Sequence, residues 1–312
     1  MLKTIFARLL WMIPILIGIS IVSFLIVSFS PSDPAEVAIR VNAMVPTPEL
    51  IAQTRMQMGL DDPFFTRWFH WIAAALQGDL GTSWVSGRAV TEELSEALPA
   101  TLVLALTSLA IIVVTGLICG IVCARYAGRQ PDRIVRLIVF VLSALPDYWA
   151  GLVLMWFFAV YLNLLPTSGM TSASSVILPA VTLALAYIGT YLRLIRSEMI
   201  TANYADWVLF AKGRGLPQWL ITAHMLLNSL NSSITALAMS IPKLMAGAFV
   251  VECIFAWPGI GRLCVTAIFN RDFPVIQSYI LMMAVLFVMS NFIGDILTTW
   301  LDPRQHRLEN RN

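Results

Sequence analysis

The sequence alternates between long stretches with no formal charge and short stretches in which charges crowd together. From Leu9 to Ser32 there are 24 uncharged residues, enough at about 1.5 Å per residue to span a hydrocarbon core of roughly 30 Å with a little tilt. Lys3 and Arg8 precede this run as they would in a signal peptide. The run is longer than the roughly 7–15 apolar residues of such a peptide, and cleavage after Ser30 would leave Pro31 at the new terminus, so a retained membrane helix is expected. A second run, Ala97 to Ala124, holds 28 uncharged residues, and four further spans are expected over 137–162, 176–192, 226–251 and 275–300.

Between the first two runs, residues 33–96 form a polar excursion broken by Pro34, Pro46, Pro48 and Pro63, with turn chemistry around Asp61-Asp62-Pro63 and Gly78-Asp79-Leu80-Gly81. A short helix is predicted from Pro48 to Met58, with Thr47 as cap, Pro48 at the first position and Glu49 in the first turn.

Charge sets the orientation. With both termini inside, the inner segments carry 13 of the 20 Lys and Arg, including Arg125, Arg129, Arg133 and Arg136 in one short loop, and the outer segments carry 6. That asymmetry is what positive-inside orientation requires. The expected architecture is an all-α membrane protein of six transmembrane helices: an N-terminal helix over 1–32, an extracytoplasmic segment over 33–96, a five-helix core over 97–300 with a cytoplasmic loop at 197–224, and a cytoplasmic tail over 301–312. Trp11, Trp149, Tyr161 and Trp300 fall near the expected interfaces as belt anchors.

Composition agrees and excludes several functions. Of 312 residues 58% are hydrophobic and 12% charged, against roughly 45–50% and about 25% in soluble domains. A net charge of +2 implies no nucleic-acid partner. Cys119 and Cys123 read as small hydrophobes within one apolar run, while Cys253 and Cys264 flank a segment outside the membrane and stay unassigned. His70, His224 and His306 lie in separate segments, so no metal site is expected. No phosphate-binding Gly-x-x-x-x-Gly-Lys-Ser/Thr motif occurs, and no nucleophile–base pattern stands out. The chain is expected to be no enzyme and to hold no cofactor; ATP, if used, must be bound and hydrolysed by a partner.

The informative segment is Ser197 to His224, the longest inside loop. Tyr204, Trp207, Val208, Leu209 and Ala211 predict one apolar helical face, and Gly213, Gly215 and Pro217 punctuate the chain beyond it. Such a face suits docking onto a partner or lying in the lipid interface. The stretch Tyr204-Ala-Asp206-Trp-Val-Leu-Phe-Ala211-Lys-Gly-Arg-Gly215-Leu resembles the EAA loop of the inner-membrane permeases of ABC importers, in the version of the peptide and nickel group. Ala211 and Gly215 keep the spacing of the motif's second alanine and its glycine, Leu209 stands where the motif has Glu, and His224-x-x-x-Asn228 matches the following His-x-x-Arg-Asn. Leu227 for Arg and Ser232 for Pro are departures. Further matching blocks are Gly59-Leu60-Asp61-x-Pro63, Gly78-Asp-Leu-Gly-Thr-Ser83, Leu98-Pro-Ala-Thr-Leu102, Leu165-Pro-Thr-Ser-Gly169, Glu252-Cys-Ile-Phe-Ala-Trp-Pro-Gly-Ile-Gly261 and Leu301-Asp-Pro-Arg304. Within the group, Pro46-Thr-Pro-Glu-Leu50 and Ile268-Phe-Asn-Arg-Asp-Phe-Pro-Val-Ile-Gln277 look most like the nickel and metal-opine permeases.

The resemblance implies a type I ABC importer permease (MetI-like) fold in a bacterial inner membrane. It implies a second homologous permease, two ATPases and an extracytoplasmic solute-binding protein as partners, with nickel or another transition metal carried as a chelate. Asp206, Leu209, Ala211, Lys212 and Gly215 would then couple the permease to the ATPase, whose closure switches the permease pair between inward-open and outward-open states. A di- or oligopeptide importer is the rival within the class. A stand-alone channel or secondary transporter is disfavoured by the lack of inverted repeats.

Ionisable residues within spans are costly and default to function. Asp147, about 15 Å into the third span after a kink expected at Pro146, is a candidate for lining the path; an ion pair with another span, or a protonated acid bonded to a carbonyl, would serve it equally. Lys243 can neutralise Asp147 or Glu252, or snorkel outward. Lys243 and Glu252 are nine positions apart, about 180° round a helix, and so would not face each other within one straight helix. Asp295 near the inner end of the sixth span completes the path candidates, although a carboxylate in that place more often anchors a helix than binds cargo.

Overall fold

A computed structural model describes residues 2–29, 33–41, 44–238 and 240–301, apart from the side chains of 2–9, 229–236, 238, 295 and 297–301. The block at 301–304, the tail, and the side chains of Ser232, Asp295 and Trp300 therefore lie outside the described residues. The helices are α1 (Leu2–Ser28), α2 (Pro34–Val41), α3 (Pro48–Gln57), α4 (Phe64–Leu76), α5 (Val90–Arg125), α6 (Gln130–Ser143), α7 (Asp147–Leu154), α8 (Ile177–Asn203), α9 (Asp206–Gly213), α10 (Gln218–Ala238), α11 (Ile241–Ile254), α12 (Ile260–Asn270) and α13 (Phe273–Leu301). A π-helical turn, Met155–Tyr161, continues α7, and a 3₁₀ turn, Ala173–Val176, leads into α8.

Among the described residues four helices are long and apolar enough to cross a membrane: Leu10–Ser28, Val90–Arg125, Ala173–Asn203 and Phe273–Gly294. The third expected span is a broken pair, α6 and α7, bent by 101°. Pro146 causes the break: it lacks an N–H to continue α6 and disfavours helical backbone at Leu145 before it. The kink expected there is thus far sharper than a bend within one span. The fifth expected span is likewise divided, between α10 and α11, with Pro242 in the first turn of α11.

The chain forms two compact units. The first comprises Met1–Thr101 and Pro258–Met289. Here α3 starts as the sequence predicts, with Thr47 Oγ1 accepting the Leu50 N–H at 3.3 Å. Helix α4 packs on α1: Trp68 Nε1 donates to Ser20 Oγ at 3.2 Å, Phe24 meets Phe64 edge-on at 5.3 Å, and the Arg67 guanidinium lies 5.4 Å from the Phe24 ring. Sequence blocks far apart in the chain meet within this unit. The buried carboxylate of Asp272 accepts the Ser83 hydroxyl and the N–H groups of Trp84 (3.2 Å) and Val85 (3.4 Å). Thr101 Oγ1 accepts the Ile260 N–H at 2.9 Å, satisfying a donor at the start of α12 that no helical carbonyl reaches.

The second unit comprises Leu102–Trp257 and Ser290–Asn312, and α8 is its central buried helix. Small residues let its neighbours close on it. A Cβ at Gly120 of α5 would stand 2.7 Å from Ile195 Cγ2, and one at Gly189 of α8 would stand 2.9 Å from Ser143 Oγ of α6. Ser143 also donates to the Leu185 carbonyl at 2.9 Å. The Gly169 N–H donates to the Phe255 carbonyl at 2.8 Å, joining two more sequence blocks. Among the described residues no disulfide joins the cysteines.

Candidate functional site

Helix α9 follows α8 after a two-residue turn and has only eight residues, too short to persist in water without packing. Asp206 in its first turn and Lys212 in its last complement the helix dipole, and Lys212 Nζ also donates to Asn203 Oδ1 at 3.0 Å. Val208 and Ala211, three apart and so on one face, are buried in a cluster with Ile195 and Met199 of α8 and Ile221 and Met225 of α10. Burying a valine is worth about 1.5–3 kcal/mol, so these two side chains anchor the helix to the unit.

The rest of the predicted apolar face turns away. Tyr204 is 78% exposed, Leu209 63% and Phe210 67%, and Trp207 is only partly covered. The single stripe expected from Tyr204, Trp207, Val208, Leu209 and Ala211 is therefore two faces: Val208 and Ala211 inward, Tyr204, Trp207 and Leu209 outward, with Phe210 exposed beside them. The reason is geometric, since at about 100° per residue Leu209 lies a third of a turn from Val208. The Arg214 guanidinium sits 5.6 Å from the Phe210 ring, so the outward face carries a cation over an aromatic ring.

The end of α9 explains Gly215. Gly215 N–H donates to the Lys212 carbonyl at 3.0 Å and Leu216 N–H to the Ala211 carbonyl at 3.2 Å, the two bonds of a Schellman cap, which requires left-handed backbone at the glycine. Gly215 has φ +72°. A Cβ at Gly213 or Gly215 would meet nothing within 4 Å, so left-handed backbone, and not close helix approach, is what the structure asks of Gly215.

The path candidates are dispersed. Asp147 is half-buried in the first turn of α7, directly after the bend. Lys243 is exposed on α11 while Glu252 is fully buried on the same helix, opposite faces as the nine-residue spacing requires. The Tyr187 hydroxyl donates to the Lys243 carbonyl at 3.3 Å. Among the described residues no ion pair joins Asp147 to Lys243. Asp295 lies on α13.

Sequence reasoning passed over Asp132. Its carboxylate is completely buried, takes Arg196 Nε and Nη2 at 2.9 Å each and Arg136 Nε at 2.9 Å, and accepts the Gly128 N–H at 2.9 Å. It ties the Arg125–Arg136 loop to α8. The Asp132–Arg136 spacing of four at a Pro131-initiated helix was the available signal; the partner on α8 was not readable.

The family described as "Binding-protein-dependent transport system inner membrane component" matches residues 116–307, and its N-terminal counterpart matches residues 1–105. The chain is 38% identical to the metal-staphylopine import system permease protein CntB of Staphylococcus aureus, over 97% of this chain and 98% of that one. It is 35% identical to the glutathione transport system permease protein GsiC of Escherichia coli, with the same coverage. Among solved structures, the MetNI methionine ABC transporter in an inward-facing conformation aligns with a TM-score of 0.57 at 16% identity, covering 67% of this chain and 96% of its own. That likeness concerns the fold.

Proposed function

Since the chain belongs to the binding-protein-dependent transport system inner membrane components, the permease subunits of ABC importers, we propose that it carries a transition metal, with nickel the first candidate, as the chelate of an opine-like molecule. Likeness along almost the whole chain to a permease named for a metal–staphylopine complex is the observation that carries this cargo. A second homologous permease, two ATPases and an extracytoplasmic binding protein complete the transporter, and ATP is bound by the partners. Both termini lie inside, which the crowding of arginines at 125–136, 193 and 196 supports.

In this reading α9 is the coupling element. Its inward face is fixed to α8 and α10 through Val208 and Ala211, so a push on the outward face, Tyr204, Leu209 and Phe210, is passed to two long helices. Asp206, Lys212 and the cap at Gly215 hold the short helix formed while it transmits. Asp147 sits at the helix start created by the α6–α7 break, where the helix dipole favours a carboxylate, and is the first candidate for the path, with Lys243, Glu252 and Asp295 behind it.

The glutathione permease relative favours a second cargo, a peptide. Uptake of radiolabelled nickel given with an opine-type chelator, against uptake of labelled glutathione, in a strain deleted for this chain and then complemented, separates the two. Restored metal uptake without restored glutathione uptake supports the chelate. The opposite pattern assigns the peptide.

A further inference from the structure

A cavity of about 340 Å³ opens between α6 and α8, and its lining includes neither α9 nor a path candidate. Two contacts frame it. At one end Gly189 and Ser143 bring the helices together, and at the other Arg196 reaches across to Asp132. Between them the wall carries Arg133, Arg136 and Arg193 with Leu137, Phe140 and Leu192. The carboxylate of Asp132 balances one charge of the pair Arg136 and Arg196. With Arg133 and Arg193 added, four arginines stand around the cavity against that one carboxylate, and among the described residues no acidic side chain lines it.

The apolar side of the cavity continues outward. Leu137 is 63% exposed and Phe140 65%, and Ile134, Ile138 and Val141 of α6 are exposed beside them. Guanidinium groups pair with phosphate oxygens through a two-pronged fork, and clustered arginines at the inner ends of membrane helices attract anionic headgroups. A site with that cluster at one end and an exposed apolar helix face running from it has the chemistry of one ligand class.

We propose that this cavity holds the headgroup of an anionic phospholipid from the inner leaflet, its phosphodiester against Arg133, Arg136 and Arg193 and an acyl chain along Leu137 and Phe140. The proposal rests on the inside placement of the 125–136 loop and not on the cargo. Arg133 and Arg193 are free to be changed without breaking the Asp132 brace, because Arg136 and Arg196 hold that carboxylate.

The test uses the assembled transporter, titrated with phosphatidylglycerol or phosphatidylcholine and read by native mass spectrometry, so a failed uptake assay leaves it untouched. Phosphatidylglycerol is expected to remain bound where phosphatidylcholine is lost. Losing one arginine near a charged headgroup should weaken binding about fivefold, so Arg133→Gln with Arg193→Gln should weaken it roughly thirtyfold, while Arg133→Lys with Arg193→Lys keeps most of it. A photo-crosslinking residue replacing Phe140 is expected to label lipid. Equal retention of the two lipids, unchanged binding in the Gln variant, displacement by millimolar inorganic phosphate, or a crosslink to the second permease in place of lipid would each overturn the assignment.

Discussion

Gly215 separates two reasons for a glycine just beyond the end of α9. A Cβ there meets nothing of this chain within 4 Å, but the backbone is left-handed at φ +72° and two cap bonds depend on it. Alanine in that conformation costs about 1–2 kcal/mol, and a β-branched residue costs more. Asparagine tolerates it best of the residues with a side chain. A cost of about 1–2 kcal/mol lowers the population of capped α9 about 5- to 30-fold relative to its opened form. In reconstituted transporter, with ATP hydrolysis and cargo uptake measured side by side, Gly215→Asn should keep nearly normal uptake per ATP. Gly215→Ala should lose part of it and Gly215→Val most, with the protein still in the membrane. Uncoupling by Asn as complete as by Val would refute the backbone argument and place a partner's atoms in the space beside Gly215.

Three other perturbations act on charge and packing. Asp132→Asn keeps the shape but strips Arg196 and Arg136 of their anion. Because those arginines remain 24% and 44% exposed, the loss should be about 2 kcal/mol, below the roughly 3–5 of a fully buried pair, seen as lower thermal stability of the purified transporter. Gly120→Ala drives a Cβ to 2.7 Å from Ile195 Cγ2 and should destabilise by about 1–3 kcal/mol, whereas Gly18→Ala, with nothing within 4 Å in α1, should be neutral or stabilising by up to about 1 kcal/mol; the same thermal assay reads both. Val208→Ala should lower stability by about 1–2 kcal/mol, while Phe210→Ala should leave stability within about 0.5 kcal/mol and cut ATP-driven uptake.

The apolar runs show where the long helices lie, because an uncharged run of membrane length has few other uses, and α1, α5, α8 and α13 fall on them. Breaks are less legible. Pro146 is visible, but a 101° turn at it depends on what α7 packs against, which a single sequence does not display. The division between α10 and α11 near Pro242 escapes for the same reason. In α9 the residue types are right and the faces are not: Val208 and Leu209 are equally apolar, and only the cluster around Ile195 and Ile221 decides which one turns inward. Pairings such as Ser83 with Asp272 and Thr101 with Ile260 join blocks that are readable separately, while their meeting is set by the fold.

Whether this chain moves a metal chelate only as part of an ATP-driven assembly can be measured in proteoliposomes containing this chain and its partner permease, with and without the two ATPases, supplied with loaded binding protein. Uptake of the labelled nickel chelate is expected only when the ATPases and ATP are both present, with none for the permeases alone. Chelate uptake by the permeases in the absence of ATPases, or ATP-driven uptake of glutathione with no uptake of the chelate, would contradict it.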